Sequence, residues 1–253
     1  MQIDLTSKVV IITGGGSGIG RASALAFAAA GARVVVANRT LSKAEAVADE
    51  ILWSGSQAMA LSVEVERGED VQRMIAETVA CYGRVDVLFN NAGISPSGSV
   101  TEISEDEWDE CLNIDLKSVF LGAKYAIPEM VKRGGGVILN TAGTFGIRAA
   151  KGKAAYSAAK AGVINLTRAI ALDYARDGIR CNVICPGYVD TPLTAGVPDD
   201  ARDEFLGRYQ PLPGVIQAEE IAKLAVYLAS NAARMITGQT FVLDGGQQAG
   251  LYA

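Results

Sequence analysis

The sequence contains no histidine. That excludes every mechanism needing an imidazole: Ser-His-Asp triads, Cys-His pairs and His-ligated zinc. Acid and base chemistry therefore falls to Tyr, Lys, Asp, Glu or Cys. The four cysteines, Cys81, Cys111, Cys181 and Cys185, are too few for a disulfide framework in 253 residues. Their spacing fits no zinc pattern either, so reduced thiols and no metal site are expected. Seven prolines against 28 glycines argue against Pro-rich linkers and for close backbone approaches. Basic residues fall short, with 23 Lys+Arg against 28 Asp+Glu and a net charge of −5. A phosphate-backbone binder needs a basic footprint, so no nucleic-acid partner is expected. No apolar run reaches 18 residues, so no transmembrane helix and no membrane partner are expected. Residues 1–8 carry no charged-then-apolar leader, and a cytoplasmic protein is the expectation.

What is present alternates. Short apolar runs at 9–12, 34–37, 58–63, 85–89, 137–139, 179–184 and 240–243 read as strands. Between them, residues 22–30, 42–53, 68–81, 105–132, 155–176 and 217–229 read as helices. Strands written as continuous Val/Ile/Leu are buried on both faces. Right-handed crossovers then give an α/β fold: one Rossmann-like, doubly wound parallel sheet of about seven strands, with helices on both faces. It occupies 1–253 as a single domain. Residues 190–216, with Pro192, Pro198, Pro211 and Pro213, form the least regular stretch and are expected to be a lid over a site.

The first strand runs into Thr13-Gly14-Gly15-Gly16-Ser17-Gly18-Ile19-Gly20-Arg21. Glycine lets the backbone turn sharply and approach a pyrophosphate. The helix that follows offers free N–H groups and the positive end of its dipole. A strand, a glycine turn and an Ala-rich helix in that order point to dinucleotide binding.

The spacing TGxxxGxG resembles that of the short-chain dehydrogenase/reductase family. Four further stretches match its pattern: Asn90-Asn91-Ala92-Gly93, Asn113, Tyr156-Ser157-Ala158-Ala159-Lys160, and Pro186-Gly187 with Thr191. The resemblance covers essentially the whole chain. It implies that Gly14, Ser17, Gly18, Ile19 and Gly20 receive the cofactor phosphates, and that Glu64 and Val65 lie near the adenine. It also implies that Asn91, Ala92 and Gly93 line the nicotinamide-side ribose, with Pro186, Gly187, the Val189 main chain and Thr191 around the carboxamide.

The second strand ends at Asn38-Arg39, without the acidic residue that would bind both ribose hydroxyls and repel a 2′-phosphate. Arg39 is suited to pair with that phosphate. NADP is therefore the expected cofactor, with NAD, its ribose bonded by Asn38, as the alternative. Ser17 speaks for the alternative, since many NADP-preferring relatives carry a basic residue there.

Tyr156 and Lys160, four apart on a helix, project from one face. A free tyrosine titrates near 10, and bringing it to neutrality takes about 4 kcal/mol, which a nearby ammonium and an oxidised nicotinamide would help to supply. Tyr156 is then the general acid/base of a hydride transfer. The resemblance gives Lys160 a second task, holding the ribose hydroxyls, and has Asn113 anchor a water that links Lys160 to solvent. It also calls for a Ser thirteen residues before the Tyr. That position is Gly143, which has no donor. Losing one comparable donor typically costs about 10²–10³ in rate. Three explanations stay open: a displaced hydroxyl from Thr144 or Thr141, an engineered knock-out, or a natural relative with weak or altered activity.

The expected function is an oxidoreductase interconverting a secondary alcohol and a ketone with NADP(H) or NAD(H). A cofactor-binding protein without turnover is the alternative. Ile94, Pro96, Phe145, Tyr188, Leu193, Phe205, Leu206 and Tyr209 should wall a mostly apolar pocket for a small hydroxy or keto compound. Arg148, Lys151 and Lys153 precede Tyr156 and could bind a carboxylate. The apolar helix at 155–176 and the C-terminal segment resemble the parts with which the family builds homotetramers.

Overall fold

Ile11 and Ile12 point to opposite sides of one sheet, and neither touches solvent. Both belong to β1 (Val9–Thr13), an interior strand of a seven-stranded sheet. The other strands are β2 (Arg33–Asn38), β3 (Gln57–Ser62), β4 (Val87–Asn90), β5 (Gly136–Thr141), β6 (Ile179–Pro186) and β7 (Thr240–Leu243). They lie in the order β3-β2-β1-β4-β5-β6-β7, every neighbouring pair parallel. The computed structural model describes residues 3–250. Met1 and Gln2, which open the segment read for a leader, and 251–253 lie outside the described residues.

Side chains alternate across a strand, so a sheet covered on both faces needs apolar residues at every position. Ile12 packs in one core with Phe27, Val34, Val36 and Phe89, and Ile11 in a second with Val35, Met74, Leu88 and Ile138. Each such side chain, fully buried, contributes about 1.5–3 kcal/mol. Helices α1 (Gly18–Ala29) and α2 (Leu41–Trp53) cover the first face together with the last helix, α8 (Ala218–Ala229). Ala22, Ala24 and Ala28 of α1 lie in the same cluster as Ala222 and Ala225 of α8, and these small side chains let the two backbones approach closely. Helices α3 (Gly68–Tyr82) and α5 (Ser118–Val131) cover the second face.

The chain runs outward from β1 to β3, then crosses back to β4 and runs the other way. The crevice therefore opens at the carboxyl ends of β1 and β4, where such sheets bind ligands.

Two stretches depart from the sequence expectation. The helix expected over 105–132 is broken into α4 (Glu105–Leu112), one turn of π-helix at Asn113–Lys117, and α5. Single π turns inside α-helices are frequent at functional sites, and this one buries Asp115 completely. The segment 190–216, read as irregular, contains α7 (Asp199–Tyr209). None of its residues is buried, so no apolar stripe announced it. Strand bounds differ at the ends: β4 starts at Val87 and β6 runs on to Pro186. No helix among the described residues is long and apolar enough to cross a membrane.

Candidate active site

Thr13, the last residue of β1, ties the crevice together. Its Oγ1 accepts from the backbone N–H of Asn91 (3.0 Å) and of Ala92 (3.2 Å), while Asn91 Nδ2 donates to its carbonyl (3.2 Å). The ends of β1 and β4 thus come so close that side chains between them do not fit. A Cβ on Gly14, which has φ +64°, would stand 2.9 Å from Ala92 Cα. One on Gly20 would collide with the Gly14 carbonyl. This bare turn leads into the N-terminus of α1, whose free N–H groups suit an anion.

From the turn a cleft of about 300 Å³ runs in two directions. Toward β2 it is lined by Asn38, Arg39, Thr40 and Lys43, and beyond β3 by Val65 and Glu66. Lys43 was not singled out in the sequence; it comes close to the glycine turn only through folding, its Cβ 2.8 Å from where a Gly16 side chain would begin. Glu64 does not line the cleft. Its carboxylate lies 3.6 Å from Arg67.

In the other direction the cleft ends at α6 (Ala154–Tyr174), which presents Tyr156 and Lys160 one turn apart. The Lys160 ammonium lies 5.5 Å from the Tyr156 ring centroid and donates to the Thr141 carbonyl at 3.1 Å. It also sits 3.0 Å from Asp115 Oδ2, with both side chains almost wholly shielded from solvent. Asp115 Oδ1 accepts from the backbone N–H of Ile94 at 2.8 Å. The π turn is what brings this carboxylate inward. Asn113, two residues earlier, is half-buried and lines neither the cleft nor the cavity beside it. The structure sets Asp115 against Lys160.

Burial pushes the Tyr156 phenol up, Lys160 pulls it down and Asp115 pushes it up again, so that it lies above the ordinary tyrosine value. Burial alone would lower Lys160, but the Asp115 carboxylate outweighs it and the ammonium is held. Burial pushes Asp115 up in turn, while Lys160 and the Ile94 N–H pull it back toward the carboxylate, and the 3.0 Å contact is that of an ion pair.

A second cavity, about 380 Å³, opens on the far side of Tyr156. Phe145, Tyr188, Leu193, Val197 and Phe205 form its apolar wall. Phe145 meets the Tyr156 ring edge-on, with centroids 6.5 Å apart. The two cavities share Tyr156, Thr141, Thr191 and Leu193, so the phenol stands where they join.

A family model described as enoyl-(acyl carrier protein) reductase matches residues 14–248. A meso-2,3-butanediol dehydrogenase of Serratia marcescens is 41% identical over 243 residues, 96% of this chain and 95% of that protein. A 3-oxoacyl-(acyl-carrier-protein) reductase of Thermotoga maritima is 35% identical over 242 residues, 96% and 98% of the two chains. The crystal structure of a short-chain type dehydrogenase/reductase from Mycobacterium marinum, 34% identical, superposes with a TM-score of 0.93 over 98% of both chains. The chain belongs to the short-chain dehydrogenase/reductase family.

Members of this family bind nicotinamide cofactors. The remaining residues singled out in the sequence distribute as follows. Ser17, Gly18, Ile19, Asn91 and Gly93 line the cleft with Thr191, while Pro186, Gly187 and Val189 line the second cavity. Ile94 lies in the cleft rather than the cavity, and Pro96, Leu206 and Tyr209 line neither. Gly143 precedes a 3₁₀ turn in extended backbone (φ 172°, ψ 163°) that any residue adopts. Both threonines beside it line the second cavity, and Thr141 donates its hydroxyl to Asn91 Oδ1 at 3.2 Å. Of the three basic residues before Tyr156, only Lys153 reaches that cavity. Its ammonium bridges Ser95 Oγ, the Ser95 and Pro96 carbonyls and Ser97 Oγ at 2.9–3.3 Å, fastening the loop after β4 to the start of α6.

Proposed function

We propose that this chain interconverts a secondary alcohol and a ketone, with NADP(H) preferred over NAD(H) and Tyr156 as general acid and base. The observation that carries the reading is the place of the Tyr156 phenol, at the junction of the cleft that runs from the glycine turn and an apolar cavity.

Gly14, Ser17, Gly18 and Ile19 would hold the diphosphate against the N-terminus of α1. Arg39 and Lys43 supply the charge for a 2′-phosphate, and no acidic residue ends β2 to repel it. Asn91 to Gly93 and Lys160 would hold the ribose next to the nicotinamide, and Thr191 with the Val189 main chain the carboxamide. When bound, the cofactor supplies or accepts the hydride. Tyr156 donates its proton to the carbonyl oxygen in reduction and recovers it from the alcohol in oxidation. Phe145, Tyr188 and Phe205 exclude water from the reacting carbon. The apolar wall suits a small hydroxy or keto compound. The relatives named for a butanediol and for a 3-oxoacyl group fit that class.

The test is the absorbance of reduced nicotinamide during incubation with a panel of ketones, alongside a cofactor titration. Ketone-dependent loss of the signal supports the reading, and its absence across the panel in a cofactor-binding protein overturns it. Gly143 favours a second reading, binding without turnover; a Gly143→Ser variant that binds cofactor and still reduces nothing would establish that one.

A homotetramer belongs to the same proposal. Phe120 and Val131 on α5 and Leu172 on α6 are exposed apolar side chains that further copies would cover. Light scattering at four times 26.4 kDa is the expected outcome.

A further inference from the structure

The ion pair beneath Tyr156 has a consequence for the direction of the chemistry. An ammonium alone beside a phenol favours the phenolate, whereas a carboxylate added to that ammonium removes the advantage. Asp115 and Lys160 are sealed together at 3.0 Å, and no other carboxylate among the described residues lies within ion-pair distance of Lys160.

The other groups around the phenol leave this balance intact. Cys111 from α4 and Cys185 from β6 face it, and burial pushes both thiols up to about 11, so they are neutral in ordinary buffers. Lys153, just ahead of α6, spends its ammonium on the oxygens of 95–97. The pull of Lys160 on Tyr156 is opposed by Asp115 and by burial.

We propose that Asp115 is a positioning residue acting through Lys160: by cancelling the ammonium's charge it keeps Tyr156 a phenol through neutral pH, which commits the site to giving protons to carbonyls there and confines alcohol oxidation to alkaline solution. The inference rests on the acid/base role given to Tyr156 above. The sign follows from proton count. Reduction needs the phenol, so its kcat/KM is level below the titration of Tyr156 and falls above it. Oxidation needs the phenolate and climbs through the same pH. Removing the carboxylate weakens proton binding, so both limbs move toward lower pH.

Asp115→Asn keeps an acceptor for the Ile94 N–H and removes the charge. Its kcat/KM profiles in both directions are expected to shift down by about one pH unit, a tenfold change in the proton equilibrium. A merely structural role would lower rates at every pH without moving the limbs. The second readout needs no substrate: the tyrosinate absorbance of each protein minus that of its Tyr156→Phe counterpart. In the unsubstituted chain Tyr156 is expected to stay un-ionised up to about pH 10, the ordinary value, and in Asp115→Asn to ionise below it. Unmoved limbs, or an unmoved titration, overturn the proposal. Should Asp115→Asn fail to fold, the unsubstituted chain decides alone, and ionisation well below pH 10 overturns it. Failure to turn over any alcohol or ketone would instead sink the proposed function, while the titration still decides the part played by Asp115.

Discussion

A side chain starting at Gly143 would place its first carbon 3.0 Å from the Tyr156 hydroxyl. The phenol would have to yield by a few tenths of an ångström, and a hydroxyl on that carbon would share the substrate oxygen with it. Gly143→Ser is therefore expected to raise kcat/KM for ketone reduction by about 10²–10³, the usual worth of one such donor. Steady-state kinetics on the variant checks this; a rate unchanged or lowered would assign the donor's task to Thr144.

Tyr156→Phe removes the proton and leaves the cleft's lining in place. Its turnover should fall by at least about 10²–10⁴, the range attributed to a positioned general acid. Cofactor affinity, read by quenching of protein fluorescence, should stay within about twofold of the parent, since the lost hydroxyl contributes little to binding.

How much of this was legible beforehand depends on the range of the interaction. The turn after β1 and the Tyr156/Lys160 pair are local patterns: glycines four and two apart, and two residues one helical turn apart. β1, β2 and β4 were legible because burial on both faces writes them almost wholly in apolar residues, whereas the partly exposed edge strands β3 and β7 were legible only as short apolar runs. Asp115 was not, because a π turn changes the phase of the helix and no side-chain period records it. Lys43 was not, because only tertiary packing sets the start of α2 beside Gly16. Glu64, placed near the adenine by resemblance, lies outside the cleft with its carboxylate 3.6 Å from Arg67, a local turn contact that no sequence period records.

Arg39→Ala should weaken binding of the 2′-phosphorylated cofactor by about 10–100-fold, since hydrogen bonds to charged groups contribute about 1.5–3 kcal/mol. Affinity for the unphosphorylated form should hardly change. Lys43→Ala should act in the same direction and more weakly, lacking the two-pronged guanidinium. Parallel titrations with both cofactors check the pair, and equal losses for both would reverse the assigned preference.

Phe27 lies fully buried where α1 meets the sheet and α8. Truncating it to alanine should cost about 3–5 kcal/mol, through lost transfer energy and the cavity left behind. Denaturant unfolding monitored by circular dichroism measures the loss. Because α1 starts at the glycine turn, the same variant should bind cofactor less tightly under conditions where it remains folded.

The outer wall of the second cavity includes Ala201, Arg202 and Phe205 of α7, a helix none of whose residues is buried in the cores. Sequence change there reshapes the chamber while α6, which carries Tyr156, stays as it is. A lineage built this way is free to explore new substrates at little risk to folding, because its tolerance for mutation and its chemistry reside in separate parts of the chain.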